Sequence, residues 1–358
     1  MTPSEQAIGR SRPRSVACSL IDRVFWAPFA LRFNVAAARS SAIGAVSADI
    51  FAQQDWMLEP LLHYRVDDDD SRDAVHCVRA RKPMSINTPQ QIAEITIEAG
   101  VKKSHMATPA ILVLGFLAGA FIALGFLLDI HVSTMIPAPW ASLGNLMGAA
   151  VFPIGLILVI LAGGELLTGN MMSLPTAMFA GRIPLSAVVR NWALVTLANL
   201  LGALFVAYFF GHVLGLTEGA YLAKTLAIAK AKASADFSQA FISGIGCNWL
   251  VCLAVWLSYA SKDVTGKILG MWFPIMAFVA IGFQHVVANM FVIPAAIFAD
   301  ALSWTEFVEN FVAVFLGNAV GGAIFVGLAY YVSYSKAIQA SPSGAQTAII
   351  EPQAAGKI

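Results

Sequence analysis

The chain runs to 358 residues, 58% of them hydrophobic and only 12% charged, with a mean hydropathy of +0.73. An ordinary soluble domain is about 45–50% apolar and about 25% charged, so a soluble globular protein is excluded. A net charge of +1 leaves no basic domain as a footprint and predicts no nucleic-acid partner, and the composition is that of a membrane protein with a polar N-terminal extension.

Residues 1–83 hold 11 Lys/Arg and 10 Asp/Glu, nearly half the charge of the whole chain. The blocks Arg10-Ser11-Arg12-Pro13-Arg14 and Asp67-Asp68-Asp69-Asp70 predict a disordered segment of opposed charges. The apolar stretch 24–30 is too short for a signal-peptide core. Met84 directly precedes a polar lead-in to the hydrophobic region; if translation begins there, residues 1–83 are no part of the protein. Residues 84–338 are expected to form the membrane domain and 339–358 a disordered tail. Cys18, Cys77, Cys247 and Cys252 form no C-x-x-C pair, so inert thiols are expected, with no metal site and no cofactor.

Stretches without Asp, Glu, Lys or Arg locate the bilayer, because a helical span needs about 20 mostly apolar residues. Single helices are predicted at 107–128, 143–163, 191–213, 240–259 and 311–334. Beyond Glu165, the short run 166–181 completes the second span as a broken helix. The run 268–299 is too long for one straight span and is interrupted at Gly282-Phe283-Gln284-His285, so the fifth span reads as two half-helices. The total is six spans. With both termini cytoplasmic, the inside segments carry eight Lys/Arg and the outside loops three, namely Lys224, Lys230 and Lys232. That count predicts both termini in the cytoplasm, and the expected location is the plasma (inner) membrane as a multi-pass protein.

The chain also aligns with itself at an offset of 119 over about forty residues. Gly163, Glu165, Asn170, Asn191, Asn199 and Gly202 fall on Gly282, Gln284, Asn289, Asn310, Asn318 and Gly321. Each half holds three spans, an odd number, so the second half is inverted relative to the first. The predicted fold is therefore an all-α membrane protein of six helices in two inverted three-helix repeats, with broken second and fifth helices. Unpaired backbone in a bilayer costs several kcal/mol per group, so a break survives only where it lines a cavity or is buried in protein. Two symmetric breaks predict a pore between them, and the half-helix N-termini suit an anion.

Residues at the breaks supply the candidate chemistry. His285 is the one histidine deep in a span; its imidazole can donate a hydrogen bond to an anion or pass it a proton. Glu165 and Gln284 are symmetry mates, as are Asn170 and Asn289. Glu165 either accepts the freed N–H groups of its own broken helix, which we favour, or touches the substrate. Lys232 and Lys230, just before span four, stand where a cation at a pore mouth concentrates anions, whereas Lys224 reads as a solvated loop lysine. Asn248 fits interhelical hydrogen bonding, and Gly115-x-x-x-Gly119 and Gly317-x-x-x-Gly321 fit close helix packing.

Four motifs carry a resemblance. Gly-Gly-Glu-Leu-Leu-Thr-Gly-Asn at 163–170, Cys-Asn-Trp-Leu-Val-Cys-Leu-Ala-Val-Trp at 247–256, Gly-Phe-Gln-His-Val-Val-Ala-Asn-Met-Phe-Val-Ile-Pro at 282–294 and Gly-Asn-Ala-Val-Gly-Gly at 317–322 resemble, in order, motifs of the formate/nitrite transporter family. The likeness covers about residues 88–336. It implies a homopentamer in which each protomer has its own pore, aquaporin-like in architecture but passing small monovalent anions. Matched by position, Thr168, Asn248 and His285 resemble the family's central polar triad and Lys232 its outer lysine. Phe152, Leu156, Leu166 and Phe278 resemble the hydrophobic constrictions on either side. Gln284 departs from the Gly-Phe-Glu-His common in the family, which removes a negative charge beside His285 and is at home among formate-carrying members.

A bare anion should stall at rings of Phe and Leu, since desolvating a charge is costly. The expected function is passage of weak-acid anions, formate first, with proton coupling. The partners are the anion, the proton and membrane lipid. Nitrite, hydrosulfide or a short carboxylate are the alternatives. A neutral-solute channel would show paired Asn-Pro-Ala boxes, and neither Asn170 nor Asn289 is followed by Pro. An enzyme is not expected: the spans carry no paired catalytic carboxylates and no nucleophile–base set.

Overall fold

Thr88 starts the first helix by accepting from Gln91 N while Gln91 returns a bond to its backbone, and Pro89 supplies a preset φ at N1. In the computed structural model, which describes residues 86–339, this helix is α1 (Pro89–Ser104). The expectations for residues 1–83, for Met84 and for the tail beyond 339 lie outside the described residues. There follow α2 (Thr108–Thr134), α3 (Ala141–Gly163), α4 (Leu167–Phe179), α5 (Leu185–Val213), α6 (Leu222–Ala233), α7 (Phe237–Ala260), α8 (Val264–Ile281), α9 (Val286–Phe298) and α10 (Trp304–Ser335). Among the described residues there is no β-strand beyond an isolated bridge, Ile86 to Ser261.

Six of these helices, α2, α3, α5, α7, α8 and α10, are long and apolar enough to cross a membrane. Helices α4 and α9, at 13 residues each, are about 20 Å long and too short to cross alone. They complete α3 and α8, so the second and fifth spans are broken as the sequence predicts. The long helices overrun the predicted spans: α5 starts at Leu185 and includes Arg190, and α10 starts at Trp304 behind the Ser303/Glu306 capping box. Charge marks where lipid contact ends, not where the helix ends. Hydropathy also misses α1 and α6, which flank the spans and carry Lys103 and Lys232.

Each break turns on a glycine. Gly163 has φ +97° and Gly282 φ +88°, in the left-handed region that costs an L-residue about 1–2 kcal/mol. The two are 119 positions apart, as are Pro175 and Pro294 within α4 and α9. Nearly every side chain of these half-helices is buried, so they form the centre of the fold and the long helices surround them.

Packing repeats the symmetry. Helix α2 packs on α5 and α7 on α10, at contacts too close for a larger residue: a Cβ on Gly119 would strike Asn199 O, and one on Gly317 would strike Phe241 O. The close-packing role expected for both glycine motifs holds. Outward-facing Val113, Leu201, Phe209, Phe273, Val312 and Leu316 remain exposed, an apolar girdle suited to lipid or to other copies.

Candidate functional site

Both breaks are held by the same set of asparagines. In the first half, Asn199 Nδ2 donates to Gly115 O (2.8 Å) and Glu165 O (2.9 Å), and its Oδ1 accepts from Leu167 N (2.9 Å). In the second, Asn318 Nδ2 donates to Gly244 O (2.8 Å) and Gln284 O (3.0 Å), and its Oδ1 accepts from Val286 N (2.9 Å). One asparagine per half therefore satisfies the backbone groups that the break sets free.

A second pair completes the frame. Asn170 Nδ2 donates to Glu165 Oε2 (2.9 Å) and Asn191 Oδ1 (2.8 Å); Asn289 Nδ2 donates to Gln284 Oε1 (2.7 Å) and Asn310 Oδ1 (2.8 Å). Glu165 thus accepts from a side chain, and its other oxygen receives Lys103 Nζ at 2.7 Å. Its own helix N–H groups are not its partners, which corrects the reading favoured from sequence.

Where the breaks meet, two residues 117 positions apart touch: Thr168 Oγ1 lies 2.9 Å from His285 Nε2. His285 is the N-cap of α9, and its Nδ1 accepts from Ala288 N at 3.2 Å. An acceptor Nδ1 carries no proton, so the network assigns the ring hydrogen to Nε2, which donates to Thr168. The Thr168 hydroxyl hydrogen is then left to donate elsewhere. Asn248 does not face this couple as a free donor. Its Nδ2 donates to Asn318 O (2.7 Å) and Thr168 O (3.2 Å), which ties α4 to α10 behind the couple.

Two cavities approach the couple from opposite sides and share no lining residue. The wide one, of about 610 Å³, reaches Phe152, Phe278 and His285. The narrow one, of about 30 Å³, is lined by Lys103, Leu156, Leu166 and Asn170. Phe152 and Phe278 meet edge to face at 5.6 Å, and Phe126, which the sequence did not single out, joins Phe152 at 5.5 Å. Phe152, Leu156, Leu166 and Phe278 are each 3% exposed or less, so buried apolar side chains wall the approach on either side of the couple.

Cations stand in both cavities. Lys232 reaches the wide one, its Nζ 3.4 Å from Phe283 O, while its own carbonyl accepts from Gln284 Nε2 and Asn310 Nδ2. Desolvation pulls the Lys232 ammonium below its ordinary pKa, against the pull of Asp129 in the other direction. Lys224 also lines this cavity and donates to Asn145 Oδ1 at 2.8 Å, so the solvated-loop reading is corrected. Lys230 is exposed and off the cavity wall. Helical spacing explains the exchange, because 224, 228, 231 and 232 share one face of α6 and 230 does not.

Lys103 was missed from the sequence as more than a loop cation. It stands 129 positions before Lys232, as Gly115 stands 129 before Gly244, so the two lysines are repeat mates at a register shifted by the longer α2, loop and α3 of the first half. That second offset is the signal that could have found it. The mates differ in partner: Lys103 has Glu165, whereas Lys232, among the described residues, has no carboxylate within ion-pairing distance. Cys247 and Cys252 are buried free thiols, and among the described residues no cluster suits a metal ion.

The model of the formate/nitrite transporter family matches residues 90–332. The chain is 61% identical over 254 residues to an uncharacterized transporter of Bacillus subtilis, covering 71% of this chain and 96% of that one. It is 59% identical over 253 residues to a formate channel of Bacillus thuringiensis, covering 71% and 98%. Among solved structures it resembles a pentameric formate channel with formate bound, at 32% identity and a TM-score of 0.57, covering 64% of this chain and 98% of that one.

Proposed function

We propose, from the premise that this chain belongs to the formate/nitrite transporter family, that it passes formate and similar small weak-acid anions across a membrane as one protomer of a homopentamer. It is a multi-pass membrane protein of a transporter family, not an enzyme. Formate as substrate is supported by the formate-channel relatives, and the pentamer by the pentameric solved structure. The Lys/Arg count supports an orientation in the plasma membrane with both termini cytoplasmic and the wide cavity outside.

The observation that carries the mechanism is the Thr168–His285 couple set among buried apolar side chains between two lysine-bearing cavities. Lysines concentrate the anion at each mouth. The phenylalanine and leucine rings oppose a bare charge, because its water is stripped there. At the centre the Thr168 hydroxyl donates to the anion while the imidazole Nε2–H supports the threonine oxygen. A neutral imidazole giving up its last proton would leave an imidazolate, so that route is too costly. The balanced step starts when Nδ1 leaves the Ala288 N–H and takes a proton from the cavity. The imidazolium then passes Nε2–H to the carboxylate, and neutral acid and neutral imidazole remain.

Flux into proteoliposomes of formate, nitrite, hydrosulfide and glycerol tests this reading. Formate should pass faster at pH 5 than at pH 7 and glycerol should not pass. At saturating formate, His285→Phe should lose the pH dependence and relax selectivity; unchanged saturating formate flux in that variant at both pH values would overturn the assignment.

A further inference from the structure

Asp129 reads from the sequence as an outer-loop residue, but the structure buries it. It lies within α2, is 6% exposed, and lines the wide cavity together with Lys224 and Lys232. The pocket for its carboxylate is built: a Cβ on Gly148 of α3 would collide with Asp129 Oδ1, so only glycine leaves room there. Among the described residues it forms no ion pair within 4 Å. A carboxylate in a cavity that otherwise gathers anions works against that purpose whenever it is ionised.

We infer that Asp129 is a proton-binding residue of the wide cavity that sets how strongly this mouth captures anions. With Asp129 ionised, the cavity presents two lysines and one carboxylate; with it protonated, two lysines alone. Capture from this side therefore rises as the pH on this side falls, apart from any proton transfer at His285. This rests on the anion-passage reading above.

The surroundings define what acts on the group. Lys224 and Lys232, both from α6, are the charges that bear on it. Helix α3 presents Asn145 and Gly148, which do not titrate. On α2 itself, His131 is engaged by Leu216 O at 2.8 Å and stacks on Tyr221, and the Ser133 hydroxyl, which faces the carboxyl, does not titrate. From α5, His212 is paired with Glu218.

Initial formate influx is measured in proteoliposomes with the pH on each side varied separately from about 8 to about 5.5. The wild type should show a KM on the wide-cavity side that falls about fivefold over this range, the effect of one unit charge across a partly aqueous cavity. Asp129→Asn should hold the low KM throughout. Lys224→Gln should move the midpoint of the profile to higher pH, because a charge favouring the carboxylate is gone; a purely structural role for either residue would not move it. Infrared difference spectra of the detergent-solubilised protein read the same carboxyl without transport: a carboxylic C=O band should appear at low pH and be absent in Asp129→Asn. A wild type that carries no formate would refute the functional reading alone. An identical KM profile in Asp129→Asn, or no band that depends on Asp129, would overturn this inference.

Discussion

The sharpest prediction concerns what His285 supplies, since its two nitrogens do different work. Nδ1 caps α9 through Ala288 N, and Nε2 holds Thr168. His285→Phe removes both. Losing a helix N-cap costs about 1 kcal/mol and an ordinary hydrogen bond about 1 kcal/mol, so this variant should be about 2 kcal/mol less stable. His285→Asn keeps a cap acceptor and a side-chain N–H but cannot titrate, so it should regain about 1 kcal/mol of that loss. Function should divide differently. A hydrogen bond to a charged group contributes about 1.5–3 kcal/mol, so loss of the couple should reduce anion selectivity about ten- to hundredfold in the Phe variant. In His285→Asn, formate flux measured at saturating formate should persist in part at pH 7 while its rise toward pH 5 disappears, leaving only the effect of Asp129 on KM. Thermal unfolding in detergent reads the first effect, and stopped-flow formate flux at the two pH values the second. A Phe variant as stable as wild type, or an Asn variant with the wild-type pH profile, would refute the reasoning.

Other consequences follow from the same geometry. Gly282→Ala should cost about 1–2 kcal/mol although nothing lies within 4 Å of the added methyl, because the penalty is in φ; Gly163→Ala should match it, and unfolding in detergent measures both. Lys103→Met leaves Glu165, 5% exposed, without its cation, and should destabilise by about 3–5 kcal/mol, whereas Lys103→Met combined with Glu165→Gln should recover most of it. Asp263 caps α8, and the Gly266 N–H, followed by the Ser261 hydroxyl, holds its carboxyl below the ordinary carboxylate pKa. Its folded pKa is depressed, so its contribution is complete above the ordinary value of 3.8 and is lost as pH falls through the depressed one. Unfolding followed on acidification should show Asp263→Ala lacking that acid-side loss.

Much of the fold was legible because its causes are local. Lipid demands long apolar runs, and these marked the six spans. The breaks were visible as polar and glycine residues inside such runs, and the offset of 119 paired Gly163 with Gly282 and Asn199 with Asn318 before any contact was known. Helices α1 and α6 were not legible from hydropathy, since half-polar helices at a membrane edge carry no apolar run of their own.

The sequence alone therefore determined the topology, the repeat and the residues available at each break, because these depend on composition and order along the chain. Only the tertiary structure decided which groups face one another. It joined Thr168 to His285, gave Glu165 to Lys103 and turned Asn248 behind the couple. It also brought Lys224 and Asp129 into the wide cavity, where the sequence put them in loops. The physical reason is that a partner across a helix interface depends on helix rotation and on the space a facing glycine leaves, as Gly148 does for Asp129, and neither is written in the order of residues along one strand of the chain.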